Sequence, residues 1–259
     1  MIRIAKALLA GGVAVVAMAG QSQAADMVQI VEPYVEPVPI GGLYLRGFVG
    51  ASNQQLGNLD NALFHVGGIV QFTEKGNFDA APFFGGGVGW RFNDWFRIDV
   101  TAEYRASADF SAFDRYDFNS DGIWDGTNDY SGRKSEALFL ANVFLDLGTW
   151  NALTPYVGAG IGTSRNTITG FTDINAVTGA IAYADAAPNW DLAWALYAGM
   201  AWNIAPAFAI ELGYRYADLG DAQTGDLVGF NGANTVYNPM YFNDITSHDV
   251  MLGFRYSFL

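Results

Sequence analysis

Three sets of residues in this chain could do chemistry. Ser247-His248-Asp249 supplies, in consecutive positions, the residue types of a hydrolytic triad. The run from Asp117 to Asp125 has oxygen-bearing side chains at its first (Asp117), third (Asn119), fifth (Asp121) and ninth (Asp125) positions and Gly122 at its sixth, the spacing of a calcium loop. Twelve charges, Asp249 among them, recur at alternate positions inside otherwise apolar segments. They are Arg46, Arg91, Arg97, Arg105, Arg215 and Arg255, and Asp99, Glu103, Glu136, Asp146, Glu211 and Asp249. Whether any of these sets works as a site depends on the elements that hold it.

The segment from Asp249 to Phe258 shows what those elements are. Val250, Leu252, Phe254, Tyr256 and Phe258 share one parity; Asp249, Met251, Gly253, Arg255 and Ser257 share the other. A period of two is the signature of a β-strand. An apolar face ending in aromatics, opposite a face carrying both charge signs, reads as the closing strand of an outer-membrane barrel, apolar toward lipid and polar toward a lumen. Eight such segments can be drawn: 43–51, 82–92, 95–106, 136–148, 154–165, 191–203, 207–217 and 248–258. Each is about the 9–11 residues, or slightly more, that a tilted strand needs to cross a membrane. Segment 136–148 fits least well, because Ala137 to Ala141 is apolar on both parities. The connections alternate. Asn93-Asp94, Thr149 to Leu153 and Ile204-Ala205-Pro206 are short; the other four are long and rich in Gly, Asn, Asp and Thr. Short turns on one side and long loops on the other is the outer-membrane rhythm. The expected fold is all-β, an eight-stranded antiparallel up-and-down barrel with four long extracellular loops.

Composition agrees with export. Arg3 and Lys6 precede an apolar run from Ala7 to Ala19, too short to span a bilayer as a helix, and Ser22-Gln23-Ala24 offers small residues for cleavage. Residues 1–24 are therefore expected to be a signal peptide. Residues 25–42, with Pro33, Pro37 and Pro39, read as an extended periplasmic tail, and 43–259 as the barrel. The formal charge is −13, and losing the leader makes it more negative, which argues against nucleic acid as a partner. No cysteine is present, so disulfides and thiolate metal sites are excluded.

Strand parity then sorts the charges. On the apolar parity no ionised residue appears, save Arg165 where its strand ends. All twelve charges above fall on the other parity, six basic against six acidic, alongside Gly85, Gly87, Gly89, Gly158, Gly160, Gly162, Gly199, Gly213 and Gly253. An eight-stranded barrel has an interior that side chains alone can fill, and glycines leave room there for guanidinium groups and for Tyr44, Phe48, Tyr156 and Tyr197. Equal numbers permit pairing, which buried charges require. A solid ion-paired core is the expected arrangement. The same parity parts Ser247 and Asp249 from His248, because neighbouring strand residues point to opposite faces. A triad in that register is excluded.

The motifs match a family. Gly42-Leu43-Tyr44-Leu45-Arg46-Gly47 opens the barrel, and Gly87-Val88-Gly89-Trp90-Arg91-Phe92-Asn93-Asp94-Trp95 makes the first turn. Ala141 to Gly148 and Thr154 to Gly160 frame the second. Glu211-Leu212-Gly213-Tyr214-Arg215-Tyr216 and His248 to Tyr256 close the barrel. Together these resemble the opacity-type, OmpA-membrane-domain-like surface antigens of alphaproteobacteria. The resemblance implies an eight-stranded barrel exposed at the cell surface, often called porin-like. It also implies a C-terminal assembly signal, here Gly253, Tyr256 and Phe258. Leu259 departs from the pattern, which usually ends on the aromatic.

The function expected is a non-enzymatic integral outer-membrane protein with envelope-integrity and surface-interaction roles. A narrow diffusion pore is the second reading, and a membrane-edge lipid-modifying enzyme using His248 the third. Outer-membrane lipid, lipopolysaccharide, the barrel-assembly machinery and host or surface ligands of the loops are the expected partners. No cofactor is expected beyond the candidate calcium at Asp117, Asn119, Asp121 and Asp125, where Asn128 replaces the bidentate glutamate of the usual twelfth position.

Overall fold

Alternation this regular builds strands that must pair on both edges. The computed structural model describes residues 41–65, 69–229 and 238–258; the expected leader and nearly all of the tail lie outside them. Its strands are β1 (Gly42–Gln55), β2 (Asn58–Asp60), β3 (Ile69–Phe78), β4 (Ala81–Arg91), β5 (Phe96–Asp117), β6 (Gly126–Asp146), β7 (Leu153–Asn175), β8 (Ile181–Ala205), β9 (Phe208–Asp218), β10 (Ala222–Gly229), β11 (Pro239–Asn243) and β12 (Thr246–Ser257). A single 3-10 turn, Ala62–His65, is the one helical element among the described residues.

Eight strands close a ring of antiparallel pairs. The order runs β1, β4, β5, β6, β7, β8, β9, β12 and back to β1, where Tyr44 pairs with Ser257 and Gln55 with Thr246. Closure leaves no unpaired edge, the condition for crossing a hydrocarbon layer with strands. The turns at one end are tight. In the first, Asn93 Oδ1 accepts the backbone N–H groups of Trp95 and Phe96 at 3.0 and 2.8 Å, which locks the reversal.

The eight segments read from sequence all lie in ring strands, but the strands run well past the expected ends. β5 has 22 residues, β7 has 23 and β8 has 25, so much of what reads as loop is β-structure. β3 pairs with β5, β10 with β8, and β11 with both β10 and β2, building a lobe over the extracellular end.

The lobe inverts the polarity of the membrane zone. Within the membrane band the outer wall exposes Leu45, Val49, Val88, Ile98, Val100, Val143, Leu196, Leu212, Val250 and Leu252, while arginines and carboxylates are buried inside. Above it, Phe78, Phe110, Ile168, Phe171, Met240, Phe242 and Ile245 are buried in the interior, and Asp109, Ser111, Ser131 and Arg133 face out. The same strands therefore obey two solvents in succession. Bulges mark the change, between Arg105 and Ala108 in the β5–β6 pairing and between Ser131 and Arg133 in the β6–β7 pairing. Segment 136–148 is apolar on both parities because its inward Leu138 and Leu140 are buried in the barrel interior between Glu136 and Asn142, while Phe139 faces out.

Candidate functional site

The twelve charges gather inside the barrel, in two layers. Eleven are buried, and Arg91, at the periplasmic end, has 14% of its side chain exposed. In the lower layer Glu211 lies 2.8 Å from Arg255, 3.1 Å from Arg46 and 3.6 Å from Arg97. Asp146 meets Arg97 at 3.1 Å and Arg91 at 3.4 Å, and Asp99 meets Arg46 at 3.5 Å. Tyr44 and Asn142 donate to Asp99 at 3.0 and 2.7 Å, and Tyr197 donates to Asn142 at 2.9 Å.

In the upper layer Arg215 grips Glu103 with two parallel hydrogen bonds of 2.8 Å. Arg105 meets Glu103 at 2.9 Å, Glu136 at 3.4 Å and Asp249 at 2.8 Å, and also donates to Ser52 and Ser247. Among the described residues no ion pair joins the two layers. Rings pack between and against them. The guanidinium groups of Arg97 and Arg46 lie 4.3 and 4.9 Å from the Phe144 ring centroid, and those of Arg105 and Arg215 about 5 Å from that of Phe83. Rings and opposite charges together replace the water these groups lose.

Sequence reading missed one member. Lys134 is fully buried, 2.5 Å from Glu136 and 2.9 Å from the Gln54 side-chain oxygen Oε1. It precedes the expected start of its strand, yet it shares the parity of Glu136, and that was the available signal. With it the upper layer holds three cations and three anions; the lower holds four and three.

Inward glycines open the space. Tyr44 lies across from Gly89, and its ring occupies the position where a Cβ there would project. Tyr156 does the same at Gly199. The aromatic ring covers the glycine on the neighbouring strand, so the pleat stays filled.

An apolar wall around a charged interior, in a closed antiparallel ring, is the geometry of a membrane β-barrel. Residues 7–258 match the model of the family "Outer membrane protein beta-barrel domain". The chain belongs to that family. This outer-membrane barrel is 29% identical over 274 residues to an uncharacterized protein of Brucella abortus, covering 92% of this chain and 93% of the relative, and 28% identical to one of Brucella suis over the same length. Among solved structures it is similar to Neisserial surface protein A (14% identity, 84% of this chain and 97% of the other, TM-score 0.45). It is also similar to OprG from Pseudomonas aeruginosa (16%, 85% and 97%, TM-score 0.46). The protein is thus an integral protein of the bacterial outer membrane.

The two other candidate sites of the barrel come out differently. Ser247 and Asp249 are buried and bound to Arg105, while His248 faces out, with Nδ1 2.5 Å from the Tyr214 hydroxyl. The three side chains do not converge. In the loop between β5 and β6, Asp117 accepts the N–H groups of Asp121 and Gly122, Asp125 accepts that of Phe118, and Asp121 accepts that of Ile123. These carboxylates and Asn119, which accepts from Asp121, fold the tip as nested turns. Among the described residues no three acidic or imidazole groups come together as metal ligands. Of the assembly-signal residues, Tyr256 and Phe258 stand on the outer wall with their rings 5.3 Å apart, and Gly253 packs against Phe48 of β1.

Proposed function

We propose that this barrel is a non-catalytic, non-conducting surface protein: a rigid peg in the outer membrane that presents a folded acidic lobe to the exterior. The observation that carries this is the filled interior. Two ion-paired layers and the rings between them occupy the membrane zone, and an apolar core continues above them. An interior of eight strands has room for side chains or for water, and here the side chains are bulky arginines, tyrosines and phenylalanines. A lobe tied into the strands below it can carry contacts to surface ligands without first paying the entropy of ordering a loop. The separation of Ser247, His248 and Asp249 supports a role without catalysis. Planar-bilayer recording tests the reading: purified, heat-modifiable protein should give no stable conductance steps. Reproducible steps would favour the narrow pore instead.

A further inference from the structure

Arg133 and Arg165, like Arg115 of the lobe, lie outside the charge network. The twelve-charge network holds its guanidinium groups inside, whereas these two are exposed on the outer wall, on the adjacent strands β6 and β7. Among the described residues neither is in an ion pair. Arg165 sits where the apolar band gives way to the lobe. Its cross-strand partners are Ala137 and Trp190, and Trp190 is exposed and stacked on Phe139 at 6.1 Å. That is the depth of the outer-leaflet headgroups. Arg133 lies four residues further out along β6, beside Gly170. At the rise of a strand the two positions are about 13 Å apart. Asp109 is the cross-strand neighbour of Arg133, and Asp185 is exposed on β8 nearby; no carboxylate is paired across from Arg165.

Below Arg165 the wall carries a shallow, open groove of about 600 Å³, lined by Leu45, Gly86, Val88, Phe139, Ala141 and Ile161 among others. It lies within the hydrocarbon depth, where an acyl chain is the group at hand to fill it. An arginine fork above an acyl groove matches a lipid with a phosphorylated head.

We propose that this wall is a binding site for lipid A, the diphosphorylated and acylated disaccharide anchor of lipopolysaccharide. Arg165 takes one phosphate, Arg133 the other, and the groove holds a chain. The number of arginines favours this lipid, since a diphosphorylated disaccharide offers a phosphate to each and a single phosphodiester head offers one. The inference rests on the outer-membrane location and is independent of whether the barrel conducts.

The test is titration of purified, heat-modifiable protein with diphosphoryl lipid A in neutral detergent micelles. Saturable binding is expected, weakened at least tenfold in Arg133→Gln/Arg165→Gln and partly retained in Arg165→Lys. Arg115→Gln, in the lobe and stacked on Trp124, should bind as the wild type does. Phosphatidylglycerol, dephosphorylated lipid A and inorganic phosphate should each bind at least tenfold more weakly than the diphosphoryl form. Equal binding by wild type and double variant would overturn the proposal. So would equal binding of phosphatidylglycerol, of dephosphorylated lipid A or of free phosphate. The double variant keeps both inner layers, so its heat-modifiable shift reports folding separately from affinity.

Discussion

Glu211 is the residue on which the lower layer turns. Three guanidinium groups lie within 3.6 Å of it, and the layer already carries four cations against three anions. Glu211→Gln keeps the shape but leaves four cations, three of them buried, facing two carboxylates. Breaking a buried pair typically costs about 3–5 kcal/mol, because the stranded charge has no water to return to. The variant should unfold in detergent at clearly lower urea than the wild type. Arg91→Gln should cost much less, since Arg91 keeps partial contact with water. A Glu211→Gln protein as resistant as the wild type would mean that the lumen is wet. Much of this layer was legible in the sequence, because parity alone assigns each charge to a face. Partnerships were not legible. That Arg105 rather than Arg46 meets Asp249 depends on strand stagger around the ring, which no single strand encodes.

At the scale of elements, the sequence shows where strands cross the membrane and hides how far they continue. Once β5, β6, β7 and β8 leave the lipid, their inner faces turn apolar and their outer faces polar, so the alternation persists with its meaning reversed. The bulge after Arg105 also shifts the parity, and a reader following one face loses the strand there. Inside this extension Asp173 of β7 is largely buried near Asp114 of β5. Asp114 accepts hydrogen bonds from the Tyr130 hydroxyl at 2.6 Å and from Asn128 of β6. Burial first, and the Asp114 charge second, raise Asp173 from 3.8 to about 7, and burial raises Asp114 as well. Between those two values the folded lobe holds a proton that the unfolded chain has lost. Stability therefore falls as pH rises from about 4 to about 7 and levels off above. Amide exchange, corrected for its intrinsic pH dependence, should show β5–β8 extensions better protected at pH 5 than at pH 7.5. Asp173→Asn should keep the acid-like protection at both. Protection that rises with pH in the wild type would contradict the burial of this pair.

For the whole molecule, the consequence is a continuous body from periplasmic turns to lobe, with its described soft points at turn tips. The β5–β6 tip exposes Phe118 and Ile123 (74% and 69%). By contrast Phe110, Phe171 and Phe242, which freely flexible loops would surrender to chymotrypsin, are buried and packed on one another, with ring centroids 4.9–6.0 Å apart. Local opening is cheapest where few apolar contacts must break. Chymotrypsin added to intact cells should therefore cut near Phe118 and Trp124 and spare the bonds after Phe110, Phe171 and Phe242. The nicked product should stay heat-modifiable, because the tip closes a hairpin whose strands are held independently by their neighbours. Calcium should make little difference to the rate. The oxygens of Asp117, Asp121 and Asp125 already accept backbone N–H groups, so a bound ion would have to displace the bonds that shape the turn. Calcium-dependent protection would show that the tip rearranges to bind the ion. Rapid cleavage at Phe171 would show that the lobe opens as separate loops, and the peg would then end at the membrane surface.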